Sequence, residues 1–101
     1  MIDIGTLTAD QARELVGDVF RLHLEGRTLE FKLFEVVVVT EKHVDPRMNR
    51  DAFAMHFLGP RDVQMLQATV PLRHDEHGIV EIFMVPIGVT AEGYLYEAVF
   101  S

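Results

Sequence analysis

The 101-residue chain carries 16 acidic against 9 basic residues, a formal charge of -7, and its only lysines are Lys32 and Lys42. Phosphate backbones and anionic membrane surfaces are therefore repelled, and neither nucleic acid nor membrane is expected as a partner. Cysteine is absent and the one serine is Ser101, which removes disulfides, thiolate chemistry, Cys-based zinc sites and Ser- or Cys-centred triads.

At this length a single domain spanning residues 1–101 is expected, and a hydrophobic fraction of 49% calls for a dense core or for surface kept for a partner. Met1 to Gly5 lack the basic and apolar regions of an export signal, and the longest apolar run, Val36 to Val39, is too short to span a bilayer. A cytoplasmic location is the default expectation.

Thr8-Ala9-Asp10-Gln11 reads as a capping box, Ala12, Leu15 and Val16 follow at helical spacing, and Gly17 suits the left-handed residue that ends a short helix. From Val19 the period becomes two. Phe20, Leu22 and Leu24 share one face of a strand, Gly26-Arg27 makes a tight turn, and Leu29, Phe31 and Leu33 continue the inward set, so the two strands form a hairpin. The apolar phase then passes to Phe34, Val36 and Val38, as a bulge near Leu33 to Glu35 would cause, because one extra residue inverts the facing.

Glu41 to Asp51 lose all periodicity and read as the longest loop. Phe53, Met55 and Phe57 mark a third strand, terminated by Gly59-Pro60, while Arg61 to Ala68 fits either one helical turn or an irregular segment tucked into the core by Val63, Met65 and Leu66. Val70, Leu72 and His74 alternate with Pro71 and Arg73 in an edge-type strand. His74-Asp75-Glu76-His77-Gly78 turns the chain into an apolar run from Ile79 to Ile87, which Pro86 closes, and a connection follows over Gly88 to Gly93. The last strand puts Tyr94, Tyr96, Ala98 and Phe100 on one face, so the chain ends inside its fold.

These elements predict a mainly β domain: a six-stranded antiparallel meander closed into a small barrel or sandwich, with one short N-terminal α-helix over an opening. Two strands, Val36 to Val39 and Ile82 to Val85, are apolar on both faces. Each must be covered by the sheet itself or by another molecule, so a protein partner or homo-oligomer is expected over the first if the interior does not take it.

The chemical inventory is sparse. No GxGxxG, Walker A or HExxH pattern occurs. His74, Asp75, Glu76 and His77 form the one cluster of ligand-type residues, which His23, His43 or His56 could complete from another strand. Residues three apart do not share a face in a hairpin, so the cluster is read as a solvated polar turn. His23 and His56 fall on polar or partly packed faces. Glu35 with Glu97, or Glu81 with a neighbour, could flank a substrate only if the fold joined them, and solvent-face charges are the simpler reading. Phe31, Phe34, Phe53, Phe57, Phe83 and Phe100 are read as core, and Tyr94 and Tyr96 as candidates for a half-exposed contact face. No catalytic, cofactor-binding or metal residue is assigned, no cofactor is implied, and the partner-binding residues stay open.

The strings Phe57-Leu58-Gly59-Pro60, Leu66-Gln67-Ala68-Thr69-Val70, His74, Gly78, Ile82-Phe83-Met84-Val85-Pro86-Ile87-Gly88 and Tyr96-Glu97-Ala98-Val99-Phe100, with Leu7-Thr8 and Val16-Gly17-Asp18-Val19-Phe20 before them, resemble an uncharacterised bacterial family of small domains. The likeness covers nearly the whole chain. Ala68, Val70 and Ser101 depart from the Gly, Tyr and Asn of that pattern, which touches only turns and packing. Relatives in that family are often encoded beside proteins with phage tail-collar or tail-fibre-like domains, so the resemblance implies an accessory or assembly role. The resulting expectation is a non-enzymatic module that binds a protein partner, such as a tail-collar-like fibre protein, through strand edges or apolar loop residues. A small-ligand or carbohydrate-binding β-barrel is the alternative.

Overall fold

The computed structural model describes residues 7–38 and 52–100, so the expected loop at 41–51, Val39 and His43 lie outside the described residues. The chain runs α1 (Ala9–Arg13), β1 (Val19–Leu24), β2 (Arg27–Val38), β3 (Phe53–Leu58), β4 (Ala68–His74), β5 (Gly78–Thr90) and β6 (Gly93–Phe100). All neighbouring strands are antiparallel, and the sheet closes as a barrel in the order β1-β2-β3-β6-β5-β4. The ring is thus two three-stranded meanders set side by side, joined by β3 against β6 and by β1 against β4.

The capping box forms as its residues require. The Thr8 N–H donates to Gln11 Oε1 at 2.9 Å, and the Gln11 N–H donates to Thr8 Oγ1 at 3.2 Å. Gly17 takes φ 99°, and two backbone bonds, Gly17 N–H to Leu33 O and Leu33 N–H to Asp18 O, tie the segment to β2. Ala12 and Leu15 enter the core but Val16 does not: the five-residue helix ends before its next turn could bring Val16 round.

Period-two alternation places the rest of the core. Phe20, Leu22, Leu29, Phe31, Leu33, Phe53, Met55, Phe57, Leu72, Val80, Ile82, Met84, Tyr96 and Ala98 fill the barrel. Five of these are aromatic and nearly inaccessible, each contributing roughly 2 to 3 kcal/mol through burial alone. These side chains pack as one continuous cluster.

Four local expectations are corrected. The first hairpin turns at Glu25-Gly26, because Leu24 pairs with Arg27 and leaves only two residues for the loop. The bulge lies between Leu33 and Glu35 as expected, but it turns Phe34 outward. Pro86 does not close its strand: a second bulge, between Pro86 and Gly88, absorbs it, and β5 continues to Thr90 before the hairpin to Gly93. Residues 61–67 form an irregular segment in which Val63 and Met65 pack on the core while Leu66 is exposed.

Pro71 explains the character of β4. Its ladder with β5 is unbroken from Ala68 to His74, so the rung Pro71↔Glu81 is one without direct hydrogen bonds, and the proline nitrogen faces β1. On that side a donor is missing, and β1 and β4 register at Arg21↔Arg73 alone. The edge-like reading of β4 holds along this one flank.

The doubly apolar strands are only half covered by closure. On β5, Val80, Ile82 and Met84 point in, while Ile79, Phe83 and Ile87 are left outside; on β2, Val36 packs on the core and Val37 is exposed. Phe83, read as core, is 51% exposed, because a closed ring has one interior and that strand carries two apolar faces.

Candidate functional site

Two histidines make the only close histidine–carboxylate pairings among the described residues, and they behave differently. His74 continues the inward phase of Val70 and Leu72 and is only 4% exposed, so it is not part of a solvated turn. Its Nε2 lies 2.7 Å from Asp18 Oδ2, and its Nδ1 accepts from the backbone N–H groups of Glu76 at 3.1 Å and His77 at 3.2 Å. Two donors aimed at Nδ1 put the ring proton on Nε2, where it donates to Asp18. Both nitrogens are committed to holding the β4–β5 turn against the start of β1. The ring also packs against Phe20 and His77, each at 4.9 Å between centroids. A cleft of about 300 Å³ beside it is lined by Asp18, Arg21, Asp75 and Glu76, with Arg21 bonded to both Glu30 and Asp75.

The second centre lies on the outer face. Glu35 on β2, His56 on β3, Glu97 on β6 and Val85 on β5 form one row across four strands, because their pairings are in register. The bulge at Leu33 to Glu35 is what brings Glu35 opposite His56. His56 Nδ1 lies 2.8 Å from Glu35 Oε1 and Nε2 lies 2.9 Å from Glu97 Oε2. The two carboxylates that could meet only through the fold do meet, on opposite sides of one imidazole.

A neutral imidazole has one N–H and one lone pair, so it can satisfy only one of two carboxylates. Both carboxylates are satisfied together only when the ring carries a second proton and donates from both nitrogens. The His56 side chain is 16% exposed, and that burial pulls its pKa down; the hydrogen bonds to Glu97 and Glu35 and their two charges outweigh it, leaving the pKa raised above the usual histidine value.

The sign of the linkage follows. A group protonated more readily in the folded chain stabilises it fully below its unfolded pKa, near 6.5, and that contribution is lost as pH rises through the higher folded value. Melting curves of the wild type and His56→Gln between pH 5 and 9 should therefore converge toward the alkaline end, the wild type being the more stable in acid. A constant difference across that range would remove the proton from the row.

Apolar side chains flank this row on the outer face. Val37, Val99 and Phe83 are exposed on one side of it. On the other side a groove of about 360 Å³ is lined by Lys32, Phe34, Leu58, Thr90, Glu92 and Leu95. The Phe34 ring sits 6.2 Å from that of His56.

The remaining sequence candidates are dispersed. His23 bonds Thr28 at 3.1 Å on the outside of the first hairpin, and Glu81 lies opposite Pro71. Tyr94 is half-buried as expected, but Tyr96 is buried, so it is no contact residue. No group of three His, Asp or Glu is arranged to hold a metal ion among the described residues, and no helix there is long and apolar enough to cross a membrane.

The pattern that defines a family described as a domain of unknown function (DUF6916) matches residues 7–100. No curated protein and no solved structure matches the chain.

Proposed function

The chain thus belongs to the DUF6916 family, and from that premise we propose that it is a non-enzymatic interaction module that docks a protein partner on the outer face of β2, β3, β6 and β5. The observation that carries this is the cluster of outward apolar side chains there, with Val99 at 59% and Phe83 at 51% exposed beside Val37 and Ile87. We favour a face over strand edges, because ring closure gives every strand a neighbour on each side. A tail-collar-like fibre protein is the partner we infer for it.

An internal ligand cavity, which the alternative of a small-ligand or carbohydrate barrel would need, competes with the packed aromatic interior, and the external groove presents a single aromatic, Phe34. Affinity capture from native lysate with the wild type, Phe83→Glu and Val99→Glu in parallel tests the docking reading. A protein held by the wild type and lost by folded variants supports it. Equal retention by all three, or no retained protein, overturns it.

A further inference from the structure

We propose that the Glu35–His56–Glu97 row makes this face a proton-controlled docking site for a cationic segment flanked by apolar side chains. The inference rests on the docking reading above and adds the chemistry of the partner.

Three observations converge. The first is the arrangement of charge on the face. On the outward sides of β2, β3, β5 and β6 the carboxylates Glu35, Glu81 and Glu97 outnumber the one lysine, Lys32, with Glu92 beside the groove, while Glu30 is already paired to Arg21 and Arg27 to Asp62. A chain of net charge -7 repels a second copy of itself and any acidic surface, so the complementary occupant is basic.

The second is position. The row is not at a rim: apolar groups lie on both sides of it, Val37, Val99 and Phe83 along one side and Phe34, Leu58 and Leu95 along the other. A partner covering those side chains must cover the carboxylates too, and a buried carboxylate without a counter-ion is costly.

The third is the valence of the row. Among the described residues the titratable groups facing His56 are Glu35 from β2, with Lys32 one row along, and Glu97 from β6. Val85 from β5 and the β3 neighbours Ala54 and Leu58 add none. While the imidazolium bridges the row, both carboxylates are satisfied from within. When the proton leaves, the imidazole can donate to one only, and the other faces a lone pair. Glu35 is the arm to be released, since its side chain is 52% exposed against 35% for Glu97 and it sits at the bulge. A guanidinium or ammonium from a partner then replaces the lost proton as counter-charge. Affinity rises with pH while the stability contribution of His56 falls, an opposition that a merely structural ion pair would not give.

The test is a ¹⁵N NMR titration at pH 5.5 and pH 8.5 with a short Leu/Arg peptide and its Leu/Glu counterpart. The Leu/Arg peptide is expected to perturb residues around His56 and to bind about fivefold tighter at pH 8.5, the scale of one half-exposed charge pair. His56→Gln should remove the pH step and Glu35→Gln should weaken binding at pH 8.5 alone. Equal wild-type affinity at the two pH values, the same step in His56→Gln, or equal binding of the Leu/Glu peptide would overturn the proposal. Phe83→Glu separates it from the docking reading: weakening by this variant at both pH values, without any pH step in the wild type, keeps the face and discards the proton control.

Discussion

Gly93→Ala is expected to abolish cooperative folding. Gly93 opens β6 and is buried, and a Cβ there would fall far inside the van der Waals radius of the Gly59 carbonyl oxygen, with Leu58 Cδ1 at 3.3 Å behind it. The obstruction is backbone, so no rotamer relieves it. Nor can Gly59 retreat: its own α-carbon is so close to the core that an added Cβ would lie 2.8 Å from Tyr96 and 2.9 Å from Phe31, and its N–H donates to Tyr94 O at 2.8 Å. The two glycines are the point where the end of β3 and the start of β6 are pressed together. The cost should exceed about 4 kcal/mol, a large share of the roughly 5 to 15 kcal/mol that holds such a domain together. Gly26→Ala is the control, since that residue has φ 78° but open space around its Cβ position; only the left-handed penalty of about 1 kcal/mol applies. Urea unfolding of the two variants side by side is decisive, and a Gly93→Ala midpoint close to that of the control would refute the argument.

Tyr96→Ala should be the most damaging of the large-to-small core changes, at about 3 to 5 kcal/mol. The ring is 1% exposed, meets Phe31 edge-on with centroids 5.4 Å apart, and forms the wall against which Gly59 rests. Its hydroxyl oxygen accepts from the Met65 N–H at 2.9 Å and so ties the irregular 61–67 segment to the barrel. Tyr96→Phe isolates that last contribution. It keeps the ring and strands one backbone donor, for a loss of about 1 to 3 kcal/mol. If Tyr96→Phe were neutral by the same unfolding measurement, Met65 would be finding water instead, and the segment would be held by Val63 and Met65 packing alone.

Much of the barrel is written in local patterns. The capping box, most of the inward set of each strand and the bulge between Leu33 and Glu35 depend on neighbours a few residues apart and appear where those residues place them, whereas Leu24 and Phe34, expected on the apolar face, are exposed. Phase also carried His74 inward with Val70 and Leu72, although its acidic neighbours made it look like part of a wet turn. What local patterns do not contain is register between distant strands. Nothing near His56 reveals that Glu97, 41 positions on, will be its rung partner, and pairing Glu35 with Glu97 could be named only as a conditional. Which of two apolar faces is covered is equally non-local, since Ile82 and Phe83 look alike until the ring closes and gives the inside to one of them.

The short joint at Pro71 bears on how the ring comes apart. Every other boundary is a ladder of several rungs, whereas β1 and β4 meet at Arg21↔Arg73. Unsealing that joint leaves a single uninterrupted sheet, ordered β4-β5-β6-β3-β2-β1, with both meanders and the Glu35–His56–Glu97 row intact. Opening it elsewhere would divide strands that follow one another in sequence or leave the two meanders joined by that one rung alone. The protein is in this sense a curled ribbon with a clasp, and the clasp lies across the ring from the β3–β6 boundary.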